Sequence, residues 1–343
     1  MNTPAILIIY TGGTIGMITR DGSNALEPFS FEEVSKHIPE LGKMGVQLST
    51  ISFKKLVDSS NINPATWVKL AEVIENNYNA FDGFVVLHGT DTMAFSASAL
   101  SFMLENLSKP VIFTGSQLPV SSLRTDAREN LVSSIEIAAS RSEGKALVPE
   151  VCIYFEFKLF RGNRTTKQNA EDFNAFRSPN YPILAKSGIN IKYNRDAIKS
   201  ADTIAPLKAH KKLDTNLAIL KIYPGIPEPV VDAVFKTDRL KAVVLETFGA
   251  GNAPTDAWFS KKIKKAVDDG IIILNVTQCV QGSVEMGRYK TSQHLVRAGV
   301  TGGHDITTEA AVTKLMFLLG KDLPVKEIKL MLNRSINGEI SLP

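Results

Sequence analysis

The sequence predicts an α/β fold with mostly parallel sheets, divided into two domains. Three observations predict it. Short Val/Ile/Leu runs alternate along the chain with amphipathic stretches of helix length. Several of those runs are nearly continuous, as strands buried on both faces require. The chain has 343 residues, and a prior of roughly 150 residues per domain makes that two domains rather than one.

Taken in order, Ala5–Thr11 is the first candidate strand. Its apolar part is only six residues, Ala5–Tyr10, with no Lys or Arg before it. A secretory leader needs a basic start and an apolar stretch of about 7–15 residues. Pro64–Asn79 reads as a helix, with Asn63 as N-cap and Pro at the first helical position. Gly83–His88 is the second strand. Thr92–Asn106 is a helix whose Met93, Ala97, Leu100, Met103 and Leu104 share one face. Pro110–Thr114 and Glu150–Phe155 are strands. Residues 193–213 turn polar, with Lys199, Lys208, Lys211 and Lys212 and no apolar periodicity. That shift predicts a first domain over 1–192, a linker over 193–213 and a second domain over 214–343. In the second domain Leu217–Ile222, Ala242–Glu246 and Ile271–Val276 read as strands. Pro254–Asp269 reads as a helix whose Lys261, Lys262, Lys264 and Lys265 form a solvated face.

Composition excludes several functions. With 39 Lys+Arg against 35 Asp+Glu, the net charge of +4 is too weak to argue for nucleic acid or an anionic membrane. No run approaches the roughly 18 apolar residues of a membrane span. Cys152 and Cys279 are far apart with no C-x-x-C, which excludes a disulfide framework and a zinc ribbon and fits a reducing compartment. A soluble, cytoplasmic protein is expected.

In parallel sheets, sites form beyond the carboxyl ends of the strands. After the first strand stands Thr11-Gly12-Gly13-Thr14-Ile15-Gly16. It lacks both the G-x-G-x-x-G spacing of dinucleotide folds and the P-loop pattern. Two glycines instead present a threonine hydroxyl. After the second strand stands His88-Gly89-Thr90-Asp91-Thr92. Taken alone, Thr90 or Asp91 reads first as the N-cap of the next helix, but two strand ends that each offer a threonine behind a glycine are less easily dismissed. His88 reads as packed or backbone-bonded, because the histidines His37, His88, His210, His294 and His304 have no metal-ligand spacing. A third cluster, Phe160 to Lys167, is rich in Arg and ends in a lysine that matters if it reaches Asp91, where it could relay protons. These are parts for nucleophilic acyl transfer: a hydroxyl, a base to activate it, and N–H donors at glycine turns and helix starts. No G-x-S-x-G elbow is present.

The pair T-G-G-T-I-G and H-G-T-D-T, about 75 residues apart, resembles the signature of the bacterial-type L-asparaginases, type I (cytoplasmic) branch. Asp58-Ser59-Ser60, Ser98 to Asn106, Thr114-Gly115-Ser116-Gln117, Arg161 to Lys167, Gly249 to Pro254 and Thr277-Gln278-Cys279 are similar to that branch as well. The resemblance implies a larger N-terminal domain with a mixed, mostly parallel sheet and flanking helices, and a smaller C-terminal parallel-sheet domain. It implies hydrolysis of L-asparagine to L-aspartate and ammonia without metal or organic cofactor, in a homodimer or homotetramer. Carried over by position, Thr14 matches the nucleophile. Thr90, Asp91 and Lys167 match the group that handles proton transfer and water. Ser59, Ser60, Thr90 and Asp91 match the substrate-binding residues.

Two departures bear on the expectation. Many relatives carry a tyrosine in the loop after the first threonine; here Asp21 to Glu27 has none and Leu26 takes its place. Tyr289 matches a tyrosine of type I relatives and is the candidate substitute, the alternative being a surface tyrosine. Some type I enzymes have a regulatory asparagine site. Thr166 and Cys279 match two of its residues, but its arginine falls at Glu246, which removes a bidentate partner for a carboxylate and adds repulsion. Weak or absent allosteric activation is expected. The stretch Gly12 to Phe29 is long and polar, as lids are. Three other readings stay open: a glutaminase, a transfer-RNA amidotransferase subunit, disfavoured by a first strand at Ala5, and a non-catalytic amino-acid sensor.

Overall fold

A computed structural model describes residues 3–19, 26–28, 38–200 and 205–342. The chain divides into two compact units, Met1–Lys211 and Lys212–Pro343.

The first unit is built on an eight-stranded mixed sheet. Its strands are β1 (Ala5–Tyr10), β2 (Gln47–Ser52), β3 (Gly83–Leu87), β4 (Val111–Thr114), β5 (Val151–Phe155), β6 (Lys158–Arg161), β7 (Ala185–Lys186) and β8 (Lys192–Tyr193). The order is β8-β7-β6-β5-β4-β3-β1-β2. The half from β2 to β5 is parallel, and the β5–β6–β7–β8 edge is antiparallel. β1, β3, β4 and β5 are almost wholly buried, which is why they read as continuous apolar runs. β2 is polar and mostly exposed because it is the outer strand.

Among the described residues, three helices cover this sheet: α1 (Pro64–Asn77), α2 (Met93–Met103) and α3 (Ala127–Ala139). Asn63 caps α1, its Oδ1 accepting from the N–H groups of Ala65 and Thr66. α2 ends at Met103, three residues short of the expected Asn106. Leu104–Glu105 leaves the helix to pair with Lys208–Ala209. On one face Ile6, Ile8, Val85, Leu87 and Ile112 pack with Leu131, Ile135 and Ala138 of α3. Of residues 193–213, expected as a linker, those up to Lys211 fall in the first unit, where Tyr193 belongs to β8 and Lys211 pairs with Glu75, and Lys212 begins the second. Residues 201–204 lie outside the described residues.

The second unit has a four-stranded parallel sheet in sequential order: β9 (Leu217–Lys221), β10 (Ala242–Thr247), β11 (Ile272–Thr277) and β12 (Thr301–Gly302). The crossovers are α4 (Glu228–Phe235), α5 (Ala257–Asp268) and α6 (Lys290–Ala298), followed by α7 (Thr308–Leu319) and α8 (Val325–Leu332). Val243, Leu245 and Ile273 pack with Val231, Phe259, Ile263 and Leu295 of the crossover helices. On α5, Lys261, Lys264 and Lys265 are exposed and Lys262 is half-buried; Lys262 pairs with Asp232, Lys264 with Asp268 and Lys265 with Asp269. Among the described residues no helix is long and apolar enough to cross a membrane.

Candidate active site

The parallel strand order β2-β1-β3-β4-β5 reverses direction between β1 and β3. In open α/β sheets the crevice outside the carboxyl ends of strands at such a reversal is where ligands bind. Tyr10 of β1 is in register with Leu87 of β3, and Thr11 extends the ladder by donating its N–H and its hydroxyl to the Leu87 carbonyl. The two strands therefore end level. Thr14 comes four residues after Tyr10, and Thr90 three after Leu87.

Backbone contact locks the two turns together. Gly13 has φ +98°, and a Cβ there would sit 2.5 Å from the Gly89 nitrogen. A Cβ on Gly89 would sit 2.6 Å from Ser59 Oγ. The Thr14–Gly16 turn, the Ser59 loop and the Gly89-Thr90 turn thus meet at one point. Tyr10 lies beneath the first turn and donates its hydroxyl to the Gly16 carbonyl at 2.9 Å. Burial raises the Tyr10 pKa, so this phenol keeps its proton and its bond. The half-buried Thr14 starts the turn. The expected lid, Gly12 to Phe29, includes residues 20–25 and 29, which lie outside the described residues, as does the Leu26 side chain.

The structure brings Thr90, Asp91 and Lys167 together. Lys167 Nζ donates to Thr90 Oγ1 at 2.9 Å and to Asp91 Oδ1 at 2.7 Å. The helix-capping reading of Thr90 and Asp91 fails, because the N-cap position of α2 is Thr92, whose hydroxyl goes to the Ser59 carbonyl at 2.6 Å. Lys167 stands on a two-stranded ribbon, Thr166–Lys167 against Phe176–Arg177. The chain just before it is anchored by a buried ion pair, Arg161 Nε to Glu150 Oε2 at 2.6 Å, with the Tyr181 ring stacked on the guanidinium. Thr90 Oγ1 also donates to Gln117 Oε1 at 3.2 Å.

His88 is a structural histidine. Its Nδ1 bonds the Gly89 carbonyl at 2.7 Å, so that nitrogen carries the proton. Nε2 is then the acceptor of the Ser96 hydroxyl at 2.9 Å, and Ser96 Oγ accepts Trp67 Nε1–H at 2.9 Å. Burial drives the His88 pKa down to about 4, against the opposing bond to Gly89, so the ring is neutral near pH 7 and only a weak base, with both its nitrogens already engaged. Because the peptide unit is planar, holding the Gly89 carbonyl on His88 turns the Thr90 N–H to the opposite side.

Asp58 organises the neighbouring loop. Ser60 donates both its hydroxyl, at 2.6 Å, and its N–H, at 2.8 Å, to Asp58 Oδ1. Those bonds hold the Asp58 carboxyl below its usual range. Ser59 is buried and Ser60 exposed.

The remaining predicted residues lie elsewhere on the chain. Tyr289 is in the second unit, at the start of α6, exposed, with Arg288 5.5 Å from its ring centre. Thr166 is in the first unit, beside Lys167. Cys279 is an exposed free thiol in the second unit. Glu246, near the end of β10, is mostly buried; its Oε1 accepts the Thr308 hydroxyl at 2.8 Å and its Oε2 faces Lys221 at 3.6 Å. Sequence reasoning assigned no role to Gln117, although it lies in one of the motif segments. Its partners, Ala170 and Asp172, are 53 and 55 residues away, and no spacing rule points to them.

Comparison with known proteins agrees with this fold. Residues 5–199 match the family described as "Asparaginase, N-terminal", and residues 216–332 match "Glutaminase/Asparaginase C-terminal domain". The chain is 40% identical over 342 residues to "L-asparaginase 1" of Escherichia coli (strain K12), covering 99% of both proteins. It is also 40% identical over 360 residues to the "60 kDa lysophospholipase" of Mus musculus, covering 98% of this chain but only 63% of that longer protein. The crystal structure of L-asparaginase I from Vibrio cholerae superposes with a TM-score of 0.91 at 39% identity, over 99% of this chain and 100% of that one.

Proposed function

The chain belongs to the asparaginase family, and from that premise we propose that it hydrolyses the side-chain amide of L-asparagine to L-aspartate and ammonia. The observation that carries the reading is the double bond from Lys167 Nζ to Thr90 Oγ1 and Asp91 Oδ1, beside a Thr14 turn packed onto Gly89.

The Asp91 carboxylate receives the substrate's ammonium. Ser60, turning from Asp58, and the Ser59 loop receive its α-carboxylate. Such fixed partners reject analogues that leave them unpaired. Thr14 Oγ attacks the amide carbon: the ester C–O bond forms, the C–N bond breaks, and the threonine proton leaves with ammonia. The outward-turned Thr90 N–H is a donor for the oxygen that gains charge in that step. Water then attacks the ester, aspartate departs and Thr14 regains its proton. Thr90 and Lys167 orient that water. Tyr289 is the residue proposed to help activate Thr14. The enzyme works in the cytoplasm as a homo-oligomer; the free thiols of Cys152 and Cys279 support a reducing compartment.

Glu246 already engages Thr308 and Lys221, which supports a rate that does not depend on a second, regulatory asparagine. The test of the main reading is Thr14→Ala. Ammonia release from L-asparagine should fall at least a thousandfold, roughly, as for loss of a nucleophile, while L-aspartate still binds. Retained turnover would refute Thr14 as the nucleophile. Parallel assays on D-asparagine and L-glutamine fix the specificity.

A further inference from the structure

Gln117 bridges three segments that meet at the site. Its Nε2 donates to the carbonyls of Ala170 at 3.3 Å and Asp172 at 3.1 Å, just past Lys167. Its backbone N–H donates to the Asp126 carboxylate at 3.0 and 3.1 Å. Its Oε1 accepts the Thr90 hydroxyl at 3.2 Å. The side chain springs from the end of β4, where Gly115 lets the chain pass close to β3: a Cβ there would fall 2.3 Å from the His88 carbonyl.

These partners settle which way the amide faces. With oxygen and nitrogen exchanged, Oε1 would oppose two carbonyls and Nε2 would oppose a hydroxyl that already accepts from Lys167. So Oε1 faces Thr90. Lys167 donates to Thr90 Oγ1, which leaves that hydroxyl's own proton in need of an acceptor, and Gln117 supplies it. The remaining lone pair of Thr90 Oγ1 is then free to accept.

We propose that Gln117 is a positioning residue that fixes Thr90 Oγ1 as the acceptor for the water attacking the Thr14 ester. The proposal rests on the asparaginase reading above and deepens it. In the step concerned, the water oxygen bonds to the acyl carbon while one of its hydrogens rests on Thr90 Oγ1. The ester bond to Thr14 breaks, and the water's proton ends on Thr14 Oγ. Lys167 keeps its proton throughout. Gln117 touches neither substrate nor water and acts through the direction of one hydroxyl.

Because ammonia leaves before this step and aspartate after it, rapid-mixing kinetics separate the two halves. In Gln117→Leu, kcat should fall about tenfold to a hundredfold, the scale of a misplaced reacting group. The KM for L-asparagine should not rise, and L-aspartate inhibition should stay within about threefold. A burst of ammonia, equal to the enzyme present, should precede slow aspartate release. Gln117→Glu keeps an acceptor for Thr90 but loses both bonds to Ala170 and Asp172, so it should recover most of the lost kcat and abolish the burst. If Gln117→Leu turns over within twofold of the native enzyme, or loses aspartate binding as much as kcat without a burst, the proposal is overturned. If Gln117→Glu is as slow as Gln117→Leu, loop anchoring is the role instead. A native enzyme that releases no ammonia from L-asparagine defeats the underlying reading; a native enzyme that does, with an equally active Gln117→Leu, defeats this inference alone.

Discussion

Gly13 and Gly89 stand backbone to backbone, so close that a Cβ on Gly13 would lie 2.5 Å from the Gly89 nitrogen and 2.8 Å from its Cα. Neither neighbour is a flexible side-chain end, so neither can swing aside. Gly13 also sits at φ +98°, which other residues rarely adopt. Gly13→Ala should therefore separate the turns that carry Thr14 and Thr90. The left-handed backbone alone costs of order 1–3 kcal/mol, and the clash adds to it. A lowered thermal midpoint together with loss of ammonia release is expected. A variant that melts and turns over like the native enzyme would show that the contact does not hold the site.

Acid should loosen the same region through His88. Its ring is buried, with a folded-state pKa of about 4 against 6.5 in an unfolded chain. Between those values the unfolded state binds more protons, so stability rises with pH there and falls as pH drops from about 6.5 towards 4. The loss over that window is about 3 kcal/mol. Below it, protonation of Nε2 ends its acceptance of the Ser96 hydroxyl. Denaturant titrations from pH 7 to 4 should show this slope in the native protein and a flatter one in His88→Asn. Equal slopes in the two proteins would remove His88 as the cause.

The meeting of the two glycine turns was legible in the chain because each follows a strand of the same sheet and each is followed by a threonine, although a glycine turn taken alone is more often structural. The helices were less legible. α3 was missed because its buried side carries Asn130, Ser133 and Ser134, which hide the apolar period. Their polarity is satisfied locally: Asn130 donates to the Gly115 carbonyl and to Asp126, and Ser134 to the Asn130 carbonyl. β2 was missed for a different reason, since an outer strand with one wet side has no continuous apolar run. Lys167 was identified as a candidate, but its contact with Asp91 is made across 76 residues and only the fold reveals it.

Glu246 makes a kinetic prediction. A carboxylate already bonded to the Thr308 hydroxyl and faced by Lys221 offers nothing bidentate to a second carboxylate. The rate against L-asparagine concentration should be hyperbolic, with a Hill coefficient near one. A sigmoidal curve would mean that Glu246 does not block activation.

The C-terminal segment depends on one buried pair. Lys314 of α7 and Glu339 are both fully buried, Nζ to Oε1 at 2.6 Å. Lys314 also donates to the carbonyls of Leu332 and Arg334, while Glu339 accepts the N–H groups of Ile336 and Asn337. Burial pushes the Glu339 pKa up, but Lys314 and those N–H donors outweigh it and hold the carboxyl below its usual range. Its contribution is therefore present above the ordinary carboxylate pKa and is lost as acid reaches the depressed value. Lys314→Met leaves a buried carboxylate without its cation, which should cost about 3–5 kcal/mol. Adding Glu339→Leu should recover part of that, because the double change removes the stranded charge but leaves the carbonyls and N–H groups unpaired. Chemical denaturation of the native chain, the single variant and the double variant reads both terms. If the double variant is no more stable than the single, the stranded charge is not the source of the loss, and the carbonyl bonds of Lys314 are.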